Sequence, residues 1–369
     1  MRILQVVTRL GMGGAERVAE SLATGLAARG HEVTLAPVAA VRDHEVARHM
    51  RAALVAGGVR VVRGASASGA KGAAVEGAFR LGRTVGLVRP DIVHLHTEIP
   101  EFTWTLAGLA SRRVARVPVV RTVHNTVLWG GWGRAGRFAE GRLGAAHVVA
   151  VSEAARDAFD AWRVAAGRAP ANAVVVYNGI DMAGLAPGPA QPHVPPRLCF
   201  AGRFEPQKGV DVLLEALDGV ISDGPAFEVA FLGAGSLAAD VARAADRWPD
   251  RVTVGLPEAG LRSHLDAYDA ILMPSRFEGM PLLAVEALGT GVPLLATSAP
   301  GLAEVVPAWY PGRCAAGDPA AYAALLRDFL AEPAAWREQA ARARPEIRAR
   351  FSLERMLDVY ENLYAGVLS

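Results

Sequence analysis

Residues 273–288 read MPSRFEGMPLLAVEAL, and this stretch settles what the surrounding chain must be. Ala270-Ile271-Leu272-Met273 is a short apolar run that suits a buried strand, Pro274 stops it, and from Pro281 an Ala/Leu-rich segment takes on helical character. Strand, turn and helix start in so few residues is the working unit of a parallel α/β sheet. The helix is expected to begin at Gly279-Met280-Pro281, since proline near the first helical position gives up no hydrogen bond and has its φ preset. The amides of Gly279, Met280, Leu282 and Leu283 would then point out of the helix end, where they and the helix dipole attract an anion such as a phosphate. Glu278 and Glu286 flank that mouth, one on the turn and one about two turns into the helix. Two readings are open. They are solvated helix-end carboxylates, or they accept hydrogen bonds from the hydroxyls of one elongated polar ligand, and a sugar nucleotide is such a ligand.

The 369 residues exceed what one core usually supports, so two domains are expected. A chain 51% hydrophobic and 21% charged is of ordinary globular make, which leaves out the disordered and fibrous classes. No apolar run is long enough to span a bilayer, and Met1-Arg2-Ile3 leads straight into a strand, so a cytoplasmic location is expected. Cys199 and Cys314 are the only cysteines and fit no ligand spacing, and no Asp-x-Asp occurs; neither a metal site nor a disulfide framework is expected. The net charge of +2 carries no nucleic-acid signature. Residues 1–186 hold 23 basic and 14 acidic side chains against 16 and 23 in the remainder. A basic first half could face an anionic acceptor or an acidic bilayer; drift in a chain with 37 arginines and two lysines is the plainer account, so peripheral membrane contact is not favoured.

The chain opens with a strand at residues 2–7, a glycine loop at 11–14, a helix marked by Val18, Leu22 and Leu26, and a second strand at 33–36. That is a Rossmann-like start. The loop is not the dinucleotide fingerprint, because Glu16 stands at its third glycine position, and this disfavours an NAD-dependent oxidoreductase. Gly13 and Gly14 permit close backbone approach to a ligand at a helix start, and equally a plain tight turn. Residues 64–77, rich in Ala, Gly and Ser, read as a flexible surface loop and a candidate acceptor-side lid. His94 and His96 share one face of the strand at 89–96; without a third ligand they read as buried structural histidines. The apolar helix at 102–109, followed by Arg112, Arg113 and Arg116, is expected to pack in the domain with a solvated basic end.

The strand at 118–125 ends on His124, at a carboxyl edge where ligands collect in open parallel sheets. Trp129 and Trp132, on a glycine-rich loop, either stack on an acceptor sugar or cover the loop's own underside. Ser152 is expected to cap the helix after the strand at 147–152. Five prolines within 186–196 exclude helix and inner strand, giving a first domain 1–186, a linker 187–196, a second domain 197–350 and a terminal helix 351–369 with apolar positions Met356, Val359, Leu363 and Val367. In the second domain a strand at 197–201 leads to Arg203 and Lys208. A planar fork beside a point charge suits neutralisation of a diphosphate leaving group. A further helix start is read at 301–306.

Glu278-Gly279 followed by Glu286-Ala287, Gly13-Gly14-Ala15-Glu16, the Thr-Val-His-Asn run at His124, the Asn-Gly-Ile-Asp at Asn178 and the Gly202-Arg203 loop with Lys208 together resemble the retaining GT-B glycosyltransferases of family 4, over nearly the whole chain. The resemblance implies an α/β fold of two Rossmann-like domains with parallel sheets facing a cleft, the last helix crossing back to the N-terminal domain. It implies transfer of a hexose-type sugar with retention from a nucleotide diphosphate donor, UDP-sugar favoured and GDP-sugar possible, to a small-molecule, lipid or glycan acceptor. Catalytic roles would fall on His124, Arg203, Lys208 and Glu278, and donor contacts on Gly13, Gly14, Arg203, Lys208, Glu278, Gly279, Met280, Pro281, Leu282, Leu283 and Glu286, with no cofactor or metal. The base would lie against the backbone following Leu256. Met280-Pro281 and Pro300-Gly301 depart from the family's commoner Phe-Gly and Gly-Gly, which bears on the sugar pocket. A nucleotide-sugar epimerase of related fold, separable by donor turnover without acceptor, and a non-catalytic sugar-nucleotide sensor are the alternatives.

Overall fold

The computed structural model describes residues 1–11, 13–40, 45–66, 70–144, 146–183, 185, 188, 191–256 and 261–369. Met12 of the glycine loop, 67–69 of the expected lid, 186, 187, 189 and 190 around the linker, and 257–260 after Leu256 therefore lie outside the described residues. The chain divides into two units, residues 1–179 with 353–369, and residues 180–352.

In the first unit strands and helices alternate: β1 (Arg2–Val7), α1 (Gly14–Ala28), β2 (Glu32–Pro37), α2 (Glu45–Ala56), β3 (Arg60–Val61), α3 (Ala70–Val88), β4 (Ile92–His96), α4 (Glu98–Ala110), α5 (Arg112–Ala115), β5 (Val119–Val123), α6 (Gly133–Leu143), β6 (His147–Ala150), α7 (Glu153–Ala165) and β7 (Val174–Val175). The strands form one parallel sheet in the order β3-β2-β1-β4-β5-β6-β7. Crossover helices must cover both faces of such a sheet, which is why β4 is buried at every position. Leu4, Val6, Val93 and Leu95 pack with Leu81, Val85 and Trp104 of α3 and α4. Ser152 caps α7, its hydroxyl accepting from the amide of Ala155 at 3.0 Å.

The second unit repeats the plan: β8 (Arg197–Ala201), α8 (Val210–Asp223), β9 (Glu228–Leu232), α9 (Ala238–Arg247), β10 (Val252–Gly255), β11 (Ala270–Met273), α10 (Leu282–Thr290), β12 (Leu294–Thr297), β13 (Arg313–Cys314), α11 (Pro319–Ala331) and α12 (Pro333–Arg350). Its parallel order is β10-β9-β8-β11-β12-β13. The last helix, α13 (Leu353–Leu368), belongs to the first unit. Both sheets reverse their winding once, between β1 and β4 and between β8 and β11, and ligands of open α/β sheets bind outside the carboxyl edge at that reversal.

Four sequence expectations need correction. Residues 64–77 are not a loop throughout, because α3 starts at Ala70. Gly77 is there for close packing rather than freedom: a Cβ on it would stand 2.8 Å from the carbonyl oxygen of Val38. Residues 301–306 form turns rather than a helix start. The first unit ends at Gly179 rather than at 186, and the described part of the proline-rich segment is tied into the second unit. There Asp269 accepts from the amides of His193 (3.0 Å) and Arg197 (2.8 Å), and Gly188 donates to the carbonyl of Thr290 (3.1 Å). Finally, the stripe that α13 buries is Met356, Leu357, Tyr360 and Tyr364, a different phase from Val359, Leu363 and Val367, because its two tyrosines reach polar groups on the sheet.

Candidate active site

The second unit gathers its candidate residues at the β8/β11 reversal. After β8 the chain passes Arg203 and a single tight turn, Pro206–Lys208, before Gly209 (φ 68°) opens α8. After β11 it makes the turn at 274–281, and α10 begins at Leu282 with Pro281 at its N-cap, one position outside the helix start expected from sequence. Glycine backbone grips this turn from two sides. A Cβ on Gly209 would lie 1.9 Å from the carbonyl oxygen of Pro274, and one on Gly301 (φ 77°) would lie 2.3 Å from the carbonyl oxygens of Glu278 and Gly279. Only glycine combines that φ with that approach.

Side chains cross-link the same two segments. The Lys208 ammonium donates to both carboxylate oxygens of Glu278, at 2.7 and 2.8 Å, and Ser275 Oγ donates to Glu278 Oε1 at 2.7 Å. Beside them Arg203 donates to Gln207 Oε1 at 2.7 Å, and Gln207 donates on to the carbonyl of Phe277 at 3.2 Å. An ammonium has three N–H groups and a carboxylate about four lone-pair sites; with these bonds made, about one donor on Lys208 and about one acceptor on Glu278 remain for a ligand. Glu278 and Glu286 are 5% and 3% exposed, which rules out the reading of solvated helix-end carboxylates. Glu286 faces Arg262, whose Nε stands 3.9 Å from its Oε1. Leu282 and Leu283 are first-turn residues of α10, whose amides have no partner within the helix, and Met280 is buried.

In the first unit the candidates also lie near the β1/β4 reversal. Gly13 is the N-cap of α1, and the Glu16 carboxylate folds over it, so that a Cβ on Gly13 would meet Glu16 Oε2 at 2.0 Å; Gly14 faces open space. Burial pushes the Glu16 carboxyl upward. His124 follows β5 directly, half-buried, its Nε2 3.1 Å from Nδ1 of the buried His96. Burial pushes His124 down to about 3, so its ring is neutral at ordinary pH. His94 is locked between Tyr364 (Nδ1, 2.6 Å) and Thr122 (Nε2, 2.7 Å), and Thr122 meets Tyr360 at 3.0 Å. Among the described residues no group of three or more His, Cys, Asp or Glu is arranged to hold a metal ion. The tryptophan loop divides: Trp129 is buried against Trp162, while Trp132 is half-buried with its ring edge-on to Phe102.

Sequence reasoning missed Ser275, Gln207, Arg262 and the two tyrosines. Ser275 carried a signal, since Ser-x-x-Glu is the capping-box spacing, which brings the two side chains to the same turn of backbone. Gln207 stands four residues after Arg203 and Tyr364 four after Tyr360. Arg262 comes from a separate short turn and had none.

Two doubly wound parallel units, each with candidate residues at the carboxyl edge of its reversal, define a protein of the GT-B class, and solved structures agree. Anabaena HepE in complex with UDP-glucose superposes with a TM-score of 0.80 at 19% identity, covering 99% of this chain and 100% of that one. Sucrose-phosphate synthase from Thermosynechococcus elongatus gives 0.77 at 18% identity, over 99% of each chain. Glycosyltransferase Family 4 matches residues 12–183 and glycosyl transferases group 1 matches residues 195–332. D-inositol 3-phosphate glycosyltransferase 1 of Catenulispora acidiphila is 31% identical over 68% of this chain and 67% of its own length. Glycogen synthase of Mycobacterium tuberculosis is 28% identical over 99% of this chain and 94% of its own. The chain belongs to glycosyltransferase family 4, and it is a glycosyltransferase.

Proposed function

We propose that the chain moves a hexose-type sugar from a UDP-sugar to an acceptor hydroxyl, with retention of anomeric configuration and without a metal ion. The observation that carries this reading is the Lys208–Glu278–Ser275 cluster at the mouth of α10, flanked by Arg203. Breaking the bond between the anomeric carbon and the donor phosphate leaves charge on the diphosphate, and fixed cations and amides placed where that charge develops stabilise the transition state. Arg203, the remaining donor of Lys208 and the first-turn amides of Leu282 and Leu283 fill that role, so charge neutralisation is available from the protein alone. Glu278, its remaining lone pair facing a sugar hydroxyl, orients the donor, and Glu286 takes the ribose. The departing phosphate oxygen accepts the acceptor's hydroxyl proton as the acceptor oxygen bonds the anomeric carbon from the face the phosphate leaves. The UDP-glucose complex of HepE supports the choice of base, and the names of the relatives support glycan and inositol-type acceptors.

The test is transfer from UDP-glucose by wild type and by the Arg203→Ala/Lys208→Ala double variant. Losing two charge-assisted contacts to the leaving group should lower kcat at least about a hundredfold, with EDTA leaving the wild-type rate unchanged. A double variant that keeps the wild-type rate ends the leaving-group assignment.

A further inference from the structure

His96 makes one hydrogen bond through its ring, from Nδ1 to Nε2 of His124, and its Nε2 is buried with no partner among the described residues. Its position is not negotiable. The ring is 1% exposed and lies 4.0 Å, centroid to centroid, from the ring of His94, which is itself pinned at both nitrogens by Tyr364 and Thr122. Burial pushes the pKa values of His96 and His124 below the usual histidine range, so the 3.1 Å contact joins two neutral imidazoles. One must donate and the other accept. If His124 donated, His96 would carry its proton on Nε2, a buried N–H with nothing among the described residues to receive it, and orphaned buried N–H groups are rare in folded proteins. If His96 donates through Nδ1, its Nε2 is left as a bare lone pair and His124 carries its proton on Nδ1, the nitrogen of its half-buried ring that forms no hydrogen bond among the described residues.

We propose that His96 is a positioning residue that donates to His124 and fixes it as the neutral Nδ1–H tautomer, so that His124 offers a bound ligand a hydrogen-bond donor rather than a base. The ligand atom it serves is therefore an acceptor: a hydroxyl, ring or phosphate oxygen of a sugar nucleotide. This last step rests on the glycosyl-transfer reading given above; the tautomer itself does not. The tyrosines of α13 enter as the outer support, because they hold the His94 ring against which the tilted His96 ring packs.

The experiment is nitrogen-15 NMR of histidine-labelled protein, in which protonated and bare ring nitrogens resonate far apart, with the His124 signals assigned by their loss in His124→Ala. Wild type should show the proton of His124 on Nδ1. His96→Leu, which removes the donor, should release it to Nε2 and lower kcat/KM for UDP-glucose about tenfold, the scale of one hydrogen bond. His96→Asn, which returns an N–H near the old Nδ1, should restore both the tautomer and the rate. A wild-type spectrum with the proton on Nε2 overturns the proposal, as does an unchanged His124 tautomer in His96→Leu. Because the spectrum is read without turnover, a chain that failed to transfer sugar would sink the functional reading and leave this one standing.

Discussion

Arg121 is the least expected residue in the chain: a guanidinium fully buried in the middle of β5, where a parallel strand would ordinarily carry Val or Ile. It survives because Glu140 of α6 receives both of its terminal nitrogens, at 2.6 and 2.9 Å, with Phe159 under its plane and Arg163 also on Glu140. Glu101 of α4 stands at 3.4 Å from a cation whose charge Glu140 already balances. Burial, outweighing the opposing pull of the Arg121 cation, pushes the Glu101 carboxyl up to about 7. A carboxyl whose folded value is raised contributes stability below its unfolded value of about 4.3 and loses it as pH rises through about 7. Thermal unfolding should therefore show a fall in stability over that window, of order 1–3 kcal/mol, that Glu101→Gln removes. An equal slope in the variant would show that Glu101 is not its source. Cutting the network at Arg121→Met should cost about 3–5 kcal/mol, since the buried Glu140 loses its bidentate partner and keeps only Arg163. Nothing in the sequence around Arg121 marked it, for burial of a charge is decided by partners on three other elements.

At the scale of elements, the turn at 274–281 is placed by its neighbours. Gly209→Ala and Gly301→Ala each force a Cβ into a carbonyl oxygen at a left-handed φ, so each should destabilise the second unit by roughly 2 kcal/mol or more and weaken UDP-glucose-dependent thermal stabilisation. Gly14→Ala, whose Cβ meets open space, serves as the control for stability and should lie within about 0.5 kcal/mol of wild type in urea unfolding. β11 was legible because its apolar run is closed by proline, and Lys208 stood out as one of two lysines against 37 arginines, whereas Glu278, a common residue beside a helix start, took its reading from the family resemblance. The same logic failed on α3, where alanine and glycine in loop-like proportion concealed a helix held by packing, and on α13, where tyrosines that face a polar spot were passed over in favour of aliphatic residues. Pattern reports what a segment prefers. It is silent about what the facing surface requires.

Across the whole molecule, α13 closes a unit that the chain left at residue 179. Leu357 presses on Gly25 of α1, and Arg29 and His31 pair with Asp358 and Glu361, with His31 Nε2 2.7 Å from the Glu361 carboxylate. Deleting residues 353–369 removes the four buried side chains of α13, uncovers the surface they cover and strips His94 and Thr122 of their tyrosine partners. Limited proteolysis should then degrade residues 1–179 while a fragment covering 180–352 resists, and equal lability of both units would refute their separate cohesion. Residues 180–352 enter and leave that fragment side by side, Ile180 bridging Ser352 in parallel and its amide donating to the carbonyl of Phe351 at 3.0 Å. By descent through the polypeptide, then, the unit 180–352 is an insert in the other, threaded in and out through one doorway. A genetic cut at those two neighbouring points would lift it out as a cassette, leave a gap short enough for a brief splice from Gly179 to Leu353, and let relatives exchange that unit without touching the one that holds the tyrosine-capped sheet.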